Sequence, residues 1–372
     1  GKCVASQMEA VAARGDVDLV MVNPLGIAPW PLARREPHRS LAANPSASER
    51  RGVTVLHPRF TALPLLADGN PARIARALMP LVRQLHAQRP FDVVDAQFFF
   101  PDGPAAARIA AALGLPLSIK ARGSDILHWG LRPAALRQMR AAANQAAGML
   151  SVSAALRDDM IGMGMPGDRI ITHYTGLDHA RFQPMDRAAA RAGLPFPLPA
   201  GAPLLVATGS LIAIKGQALA IAALPDIADA HLALAGKGPD EAALRAQAEK
   251  LGLASRVHFL GQVSHDDLPT LIAAADAMVL PSEREGLANA WIEALACGTP
   301  VVIPPIGGAR EAVTGPDAGR IAARTPDAIA AACRDLIANP PAPAAVASHA
   351  ARFSWEANAA QLVSYWSGLA RP

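Results

Sequence analysis

The chain has 372 residues, enough for two domains of about 100–200 residues each. Its 51% hydrophobic content can bury substantial cores built from alanine, leucine and valine, with only 4% aromatic residues. Three separated cysteines, Cys3, Cys297 and Cys333, exclude a disulfide framework and metal-ligand spacing and point to a reducing, cytoplasmic setting, and no apolar run reaches the ~18 residues of a spanning helix. The net charge of +4 divides into +8 over residues 1–195 and −4 over residues 196–372, which leaves open a peripheral contact with an anionic membrane surface; arginine outnumbers lysine 30 to 5, a compositional bias that gives no ground for a nucleic-acid partner.

Strand-like apolar runs fall at 19–22, 93–96, 117–120, 149–152, 204–208, 232–235, 257–260, 277–280 and 300–304, with alanine- and leucine-rich helical stretches between them. This alternation predicts an α/β protein with two doubly wound, Rossmann-like domains, whose ligands bind outside the strand C-termini, in a cleft where the domains face each other. The pattern breaks at residues 182–201, where LPFPLPAG reads as an interdomain linker. The expected domains are 1–190 and 191–352, and residues 353–372 carry a last amphipathic helix.

Several features of the first half have ordinary explanations beside functional ones. Asp16-Val17-Asp18 is a D-x-D string in a helix-to-strand turn, and a metal role is not assigned to it. The basic amphipathic segment 72–89 suits packing on a sheet better than a membrane surface. KARGSDI ends a strand at Arg122, Ser124 and Asp125, and Ser153 starts the helix after the next one. His128 and Trp129 suit sugar stacking or core packing equally, and His173 reads as a structural histidine.

The second half carries the chemistry. In ATGSLIAIKGQ a strand ends at Thr208, Gly209 and Ser210 open a loop, and Lys215-Gly216 precede a helix. A helix start with a lysine favours an anion, although the P-loop spacing is absent and a surface lysine would look the same. In LALAGKGPDE the strand runs into Gly236-Lys237-Gly238, whose glycines permit close backbone approach or mark a plain turn. RVHFLGQV follows as a short strand containing Phe259 and Leu260.

The most informative stretch is EGLANAWIEALACGTPVV, residues 285–302. Glu285 is expected in a loop after a strand, Asn289 as the N-cap of a helix, and Glu293 within that helix. Backbone N–H groups near residues 287–290 would then form an anion site. If the whole span were helical, the carboxylates would stand about 12 Å apart, too far for a retaining glycosidase pair. They suit two hydroxyl-bearing parts of one long ligand, such as a sugar and a ribose flanking a diphosphate.

These motifs resemble the C-terminal half of family 4 glycosyltransferases, the retaining family with the GT-B fold. EGLANAWIEALACGTPVV resembles its E-x7-E, GSLIAIKG its strand–loop–lysine, AGKGP its G-x-G-P turn and VHFLG its V-x-F-L-G strand. FDVVDAQFFFPDG, KARGSDI, SVSAAL, HYTGLDHARFQP and the terminal SWEANAAQLVSYW extend a looser likeness over nearly the whole chain and resemble bacterial members making exopolysaccharide or cell-wall glycans. The resemblance implies an acceptor-binding first domain, to which the last helix crosses back, and a donor-binding second domain. It implies retaining transfer from a nucleotide-diphosphate sugar, UDP or GDP type, to a glycan or lipid-linked acceptor, without metal or cofactor.

By the same resemblance Lys215 neutralises the diphosphate, Glu285 contacts the donor sugar and Glu293 holds the ribose. Gly209, Ser210, Gly238, Phe259, Leu260, Gly286, Leu287, Ala288 and Asn289 line the donor, and Arg122, Ser124, Asp125 and Ser153 face the acceptor. Three departures stand out. Ser210 occupies a position often held by arginine. Arg122-Gly123 replaces His-Gly, and Asp95-Ala96-Gln97 replaces H-x-H; Arg122 can still serve a phosphate or a hydroxyl. The family's first strand would precede Gly1, so a gap is expected in the first sheet. Rival expectations are a GT-B epimerase or phosphorylase, a two-lobed sugar-binding protein, and a nicotinamide oxidoreductase; the last lacks G-x-G-x-x-G in context.

Overall fold

The structure, a computed structural model, describes residues 2–30, 34 and 38–370. Contacts divide the chain into one unit of residues 1–176 with 355–372 and a second of residues 177–354. The division falls earlier than the expected 190/191. Residues 182–201 are therefore not a linker but part of the second unit. Asp186 caps the short helix Arg187–Ala192 by accepting from the Ala189 N–H at 2.8 Å. Arg187 and Arg191 then reach Asp276 at 2.9 and 2.6 Å, which ties that helix to the second sheet.

In the first unit the strands are β1 (Met21–Val22), β2 (Leu25–Ile27), β3 (Ala47–Arg50), β4 (Val53–Leu56), β5 (Arg59–Thr61), β6 (Val94–Ala96), β7 (Leu117–Ala121), β8 (Gly148–Ser151) and β9 (Ile170–Thr172). The strands β6-β7-β8-β9 form one parallel sheet. Strand β7 is buried along its whole length, as expected of a strand covered on both faces. Smaller sheets join β1-β4-β3 and β2-β5. The β3–β4 pair is antiparallel, an exception to the expected parallel pattern. Its two-residue turn, Arg51-Gly52, has positive φ at both positions, which suits a tight hairpin.

The helix Asn70–Gln88 buries Ile74, Ala75, Leu78 and Val82 against Ala105 and Ile109 of the helix Asp102–Leu113. The apolar face of segment 72–89 is thus occupied by protein. The last helix, Trp355–Ala370, belongs to the first unit. Its Ala359, Leu362 and Val363 pack with Met8 and Val11 of the helix Lys2–Ala12. Among the described residues no helix is long and apolar enough to cross a membrane.

The second unit holds β10 (Leu204–Thr208), β11 (His231–Ala235), β12 (Val257–Gly261), β13 (Ala277–Val279), β14 (Val301–Ile303) and β15 (Gly319–Ile321). Their spatial order is β12-β11-β10-β13-β14-β15, and every pair is parallel. Strand order reverses direction at the β10–β13 junction. In such sheets this switch point opens the crevice outside the strand C-termini where ligands bind. Beneath it lies an aliphatic core that includes Leu205, Ile221, Leu232, Leu234, Val279 and Val302.

Candidate active site at the strand ends of the second unit

Lys215 and Glu285 follow the two strands that flank the switch point. After β10, Gly209 (φ +133°) turns the chain, and a 3₁₀ turn, Ala213–Lys215, precedes the helix Gln217–Ala223. After β13 the chain passes Pro281 and Ser282 to Glu285. The two loops are fastened together by the Glu283 N–H donating to the Ile214 carbonyl at 2.7 Å. Gly216 (φ +72°) allows the contact, because a Cβ there would lie 2.3 Å from the Pro281 carbonyl oxygen. The result is an ion pair, Lys215 Nζ to Glu285 Oε1 at 2.5 Å, between side chains 24% and 13% exposed. An ammonium has three donors, so this pairing leaves two for a ligand oxygen.

Two glycine turns meet beside this pair. The Gly209 N–H donates to the Ala235 carbonyl at 2.9 Å and the Leu211 N–H to the Lys237 carbonyl at 3.1 Å. A Cβ on Gly236 would stand 1.8 Å from the Gly209 oxygen, and one on Gly238 would stand 2.1 Å from the Leu211 oxygen. The AGKGP turn therefore carries glycine because backbone crosses backbone there. Ser210 is exposed, and its carbonyl accepts from Gln217 Nε2 at 2.9 Å.

Gly286, Leu287 and Ala288 are buried, and the helix Asn289–Ala296 follows. Asn289 is its first helical residue, not its N-cap. The extended residue before it is Ala288, which has no capping side chain, so the sequence expectation was one position late. Glu293 is half-buried one turn in. Glu285 lies outside the helix, so the 12 Å helical separation does not apply to the pair. Beside Glu293, the Cys297 thiol is pushed up to about 12 by burial first and the Glu293 charge second, which keeps it protonated. Phe259 and Leu260 are half-buried on β12, with the Arg245 guanidinium 4.2 Å from the Phe259 ring centre.

Sequence reasoning passed over three contributors. Ser282 is fully buried, and its Oγ has no hydrogen-bond partner among the described residues. A buried hydroxyl without a partner at the end of a strand can take up a ligand or a water. Gly307-Gly308, after β14, brace the Glu285 loop: the Gly308 N–H donates to the Gly286 carbonyl at 2.7 Å, and a Cβ on Gly307 would lie 1.9 Å from the Glu285 carbonyl oxygen. The paired glycines after the run 300–304 were the available signal. Arg324, beyond β15, donates from Nε to the Pro281 carbonyl at 2.9 Å; nothing in its local sequence singles it out.

The first-unit residues sit at the C-terminal ends of β7 and β8. Asp125 is fully buried, and its carboxylate accepts from the N–H groups of Phe99 (2.7 Å), Arg122 (3.0 Å) and Gly123 (2.8 Å). It organises the loop from inside. Ser153 is likewise buried and caps the helix Ala154–Gly162 by accepting from the Leu156 N–H at 3.1 Å. Ser124 is exposed, while Arg122 is half-buried. Trp129 rests on Phe100, ring centres 4.8 Å apart, with exposed His128 edge-on to it. Asp16 and Asp18 pair with Arg14 and Arg89. A cavity of about 1210 Å³ opens among the helices Lys2–Ala12, Asn70–Gln88 and Trp355–Ala370, and none of the expected site residues lines it.

The second unit thus offers a cation, two carboxylates, a buried hydroxyl and a helix start at one end of a doubly wound sheet. That set suits an anionic ligand flanked by hydroxyl-bearing groups. Residues 195–353 match the family model described as glycosyl transferases group 1, and residues 10–181 match the one described as glycosyltransferase family 4. The GDP-mannose-dependent alpha-(1-6)-phosphatidylinositol monomannoside mannosyltransferase of Mycolicibacterium smegmatis is 32% identical over 257 residues, 64% of this chain and 67% of that one. The chain belongs to the family 4 glycosyltransferases.

A second relative, the D-inositol 3-phosphate glycosyltransferase of Mycolicibacterium gilvum, is 36% identical over 199 residues. That alignment covers 51% of this chain but only 44% of the relative's own length. Among solved structures, sucrose-phosphate synthase from Thermosynechococcus elongatus superposes with a TM-score of 0.78 at 20% identity, covering 98% of this chain and 92% of the other. At that identity the likeness speaks for the fold, and it is the two-domain GT-B architecture of this family.

Proposed function

We propose that this family 4 member transfers a glycosyl group, with retention, from a nucleoside diphosphate sugar to a glycan or lipid-linked acceptor in surface polysaccharide synthesis. The observation that carries the reading is the Lys215–Glu285 pair astride the β10–β13 switch point, with Glu293 one helical turn beyond. GDP-mannose in the name of the M. smegmatis relative supports GDP as one candidate nucleotide, alongside UDP, and the lipid in that name supports a lipid-linked acceptor.

In this reading the donor diphosphate takes the two remaining Lys215 donors while Glu285 faces the sugar and Glu293 the ribose. The anomeric C–O bond breaks and its electron pair leaves with the diphosphate oxygen. Lys215 and the start of the helix Asn289–Ala296 meet that charge where it develops. The acceptor hydroxyl oxygen bonds to the anomeric carbon on the same face, and its proton passes to the departing phosphate. Lys215 supplies the positive charge, so the scheme calls for no metal.

Titration calorimetry with UDP, GDP, ADP and NAD⁺ tests the reading on wild type, Glu293→Ala and Lys215→Ala. One diphosphate should bind in the micromolar range and be lost in Glu293→Ala. With the matching sugar nucleotide, Lys215→Ala should cost about 10²–10³ in turnover, the usual loss for one preorganised donor. Preference for NAD⁺, or Lys215→Ala turnover equal to wild type, would overturn it.

A further inference from the structure

Two basic residues near the C-terminal end of β7 are bonded only to neutral groups. Lys120 is fully buried, and its Nζ lies 2.7 Å from His173 Nδ1. Arg122 donates from Nε to the Gln97 carbonyl at 2.8 Å, and from Nη2 to Gln7 Oε1 at 2.7 Å and to Gln97 Oε1. Among the described residues neither makes an ion pair with a carboxylate. The nearby acids are committed elsewhere: Asp125 to backbone N–H groups, and Asp95 to Gln97 Nε2 and to Trp366 Nε1 at 3.1 Å. Burial holds the Lys120 ammonium well below its usual range, and the Arg122 charge pushes in the same direction.

The orientation of Arg122 is dictated by hydrogen-bond polarity. A guanidinium only donates, so Gln7 must turn Oε1 toward it. Gln7 Nε2 then donates to Asn358 Oδ1 at 2.7 Å, and Asn358 Nδ2 donates to the Tyr174 carbonyl at 2.5 Å. A carbonyl only accepts, so each amide in this relay has one permitted orientation. Gln7 is fully buried and Asn358 is 4% exposed. Two of the three guanidinium nitrogens are thereby fixed, and Nη1 makes no hydrogen bond to any described residue.

We propose that Arg122 Nη1 anchors an anionic group, a phosphate or a carboxylate, carried by the acceptor, with Gln7 as the positioning residue that presents it. The proposal rests on the glycosyl-transfer reading and adds the chemical class of the acceptor. Asp125 and Asp95 favour the Arg122 charge from nearby, but neither bonds the guanidinium, so Nη1 remains a donor that an anion would meet with both a hydrogen bond and charge and a hydroxyl with a hydrogen bond alone. A phosphate or carboxylate oxygen also meets the in-plane donor geometry that arginine offers and lysine does not.

The test is calorimetry with glycerol 3-phosphate, glucuronate and glucose as probes, and sedimentation with phosphatidylglycerol or phosphatidylcholine vesicles, on wild type, Arg122→Gln, Arg122→Lys and Gln7→Leu. The two charged small probes should bind wild type at least 10-fold more tightly than glucose. Arg122→Gln should lose that preference, and Arg122→Lys and Gln7→Leu should keep only part of it. Tighter binding to phosphatidylglycerol vesicles than to glycerol 3-phosphate would assign the anion to a lipid headgroup, and the reverse to a soluble acceptor; both support the site. Glucose binding equal to that of the anions, or anion binding unchanged in folded Arg122→Gln and Arg122→Lys, overturns the proposal. A nucleotide titration of each protein runs alongside. Anion binding without any nucleoside diphosphate binding in wild type would sink the transferase reading and with it the acceptor assignment. Nucleotide binding without anion preference would sink this proposal alone.

Discussion

Gly236 shows how one missing Cβ can set a site. Its backbone lies against the Gly209 carbonyl so closely that a methyl group would stand 1.8 Å from that oxygen. Replacing it must push apart the loops that follow β10 and β11. Gly236→Ala is expected to destabilise the second unit by about 1–3 kcal/mol, the usual cost of forced overpacking. It should also weaken nucleoside diphosphate binding at least 10-fold by moving the loop that ends in Lys215. Gly193→Ala is the control: only the Ala190 oxygen, at 3.6 Å, lies near a Cβ there. Thermal melts and calorimetry on both variants check this, and equal behaviour of the two would reject it. At this scale the sequence was informative about residue types. It offered Lys215, Glu285 and Glu293 by their places after strands and in a helix. It could not pair Lys215 with Glu285, because they are 70 positions apart and the pairing depends on the Glu283–Ile214 fastening.

At the scale of elements, the first unit is stitched by polar relays as well as by its buried apolar side chains. His173, just after β9, connects β7 to the last helix by accepting from Lys120 and donating from Nε2 to the Asn358 carbonyl at 2.9 Å. Burial first, and the Lys120 charge second, hold its imidazole down at about 3 against the usual 6.5. The folded state therefore keeps His173 neutral where the unfolded chain takes up a proton. Above pH 6.5 this group leaves stability untouched. As pH falls from 6.5 toward 3 it removes up to about 1.4 kcal/mol per pH unit. His173→Gln can keep both contacts without the titration. Urea unfolding at pH 7.5 and pH 5 should show a smaller acid loss for the variant than for wild type; equal losses would contradict this account.

The element scale also explains which strands could be read in advance. β10, β11 and β13 are buried throughout, so they appear as continuous apolar runs. β3 is mostly exposed and spells ASER, and edge strand β15 carries half-buried Arg320 between buried Gly319 and half-buried Ile321. Strands β2, β3, β4, β5, β9 and β15 went unrecognised: none is longer than four residues, and β3, β5 and β15 carry charged side chains that break any hydrophobic run.

For the whole molecule, each unit has its own sheet and core, so a ligand held by one need not stabilise the other. At 100 times its dissociation constant, a nucleoside diphosphate should add about 2.7 kcal/mol to the opening free energy of the elements that hold it. Hydrogen exchange with saturating nucleotide should slow in β10, β13 and the helix Asn289–Ala296, and stay unchanged in β7, β8 and β9. Equal protection of both units would place the nucleotide elsewhere. What the sequence by itself determined was the alternation of apolar runs and helices, and therefore the doubly wound class, together with the motifs at the ends of the second-unit strands. That information is local, because side-chain burial and turn chemistry are written in consecutive residues. The tertiary structure alone decided the domain division at Gly176 and Ser354, the inward turn of Asp125, and the relay from Arg122 through Gln7 to Asn358. The relay joins residues more than a hundred positions apart and Asp125 reaches back 26 positions to Phe99, contacts whose geometry no local pattern encodes.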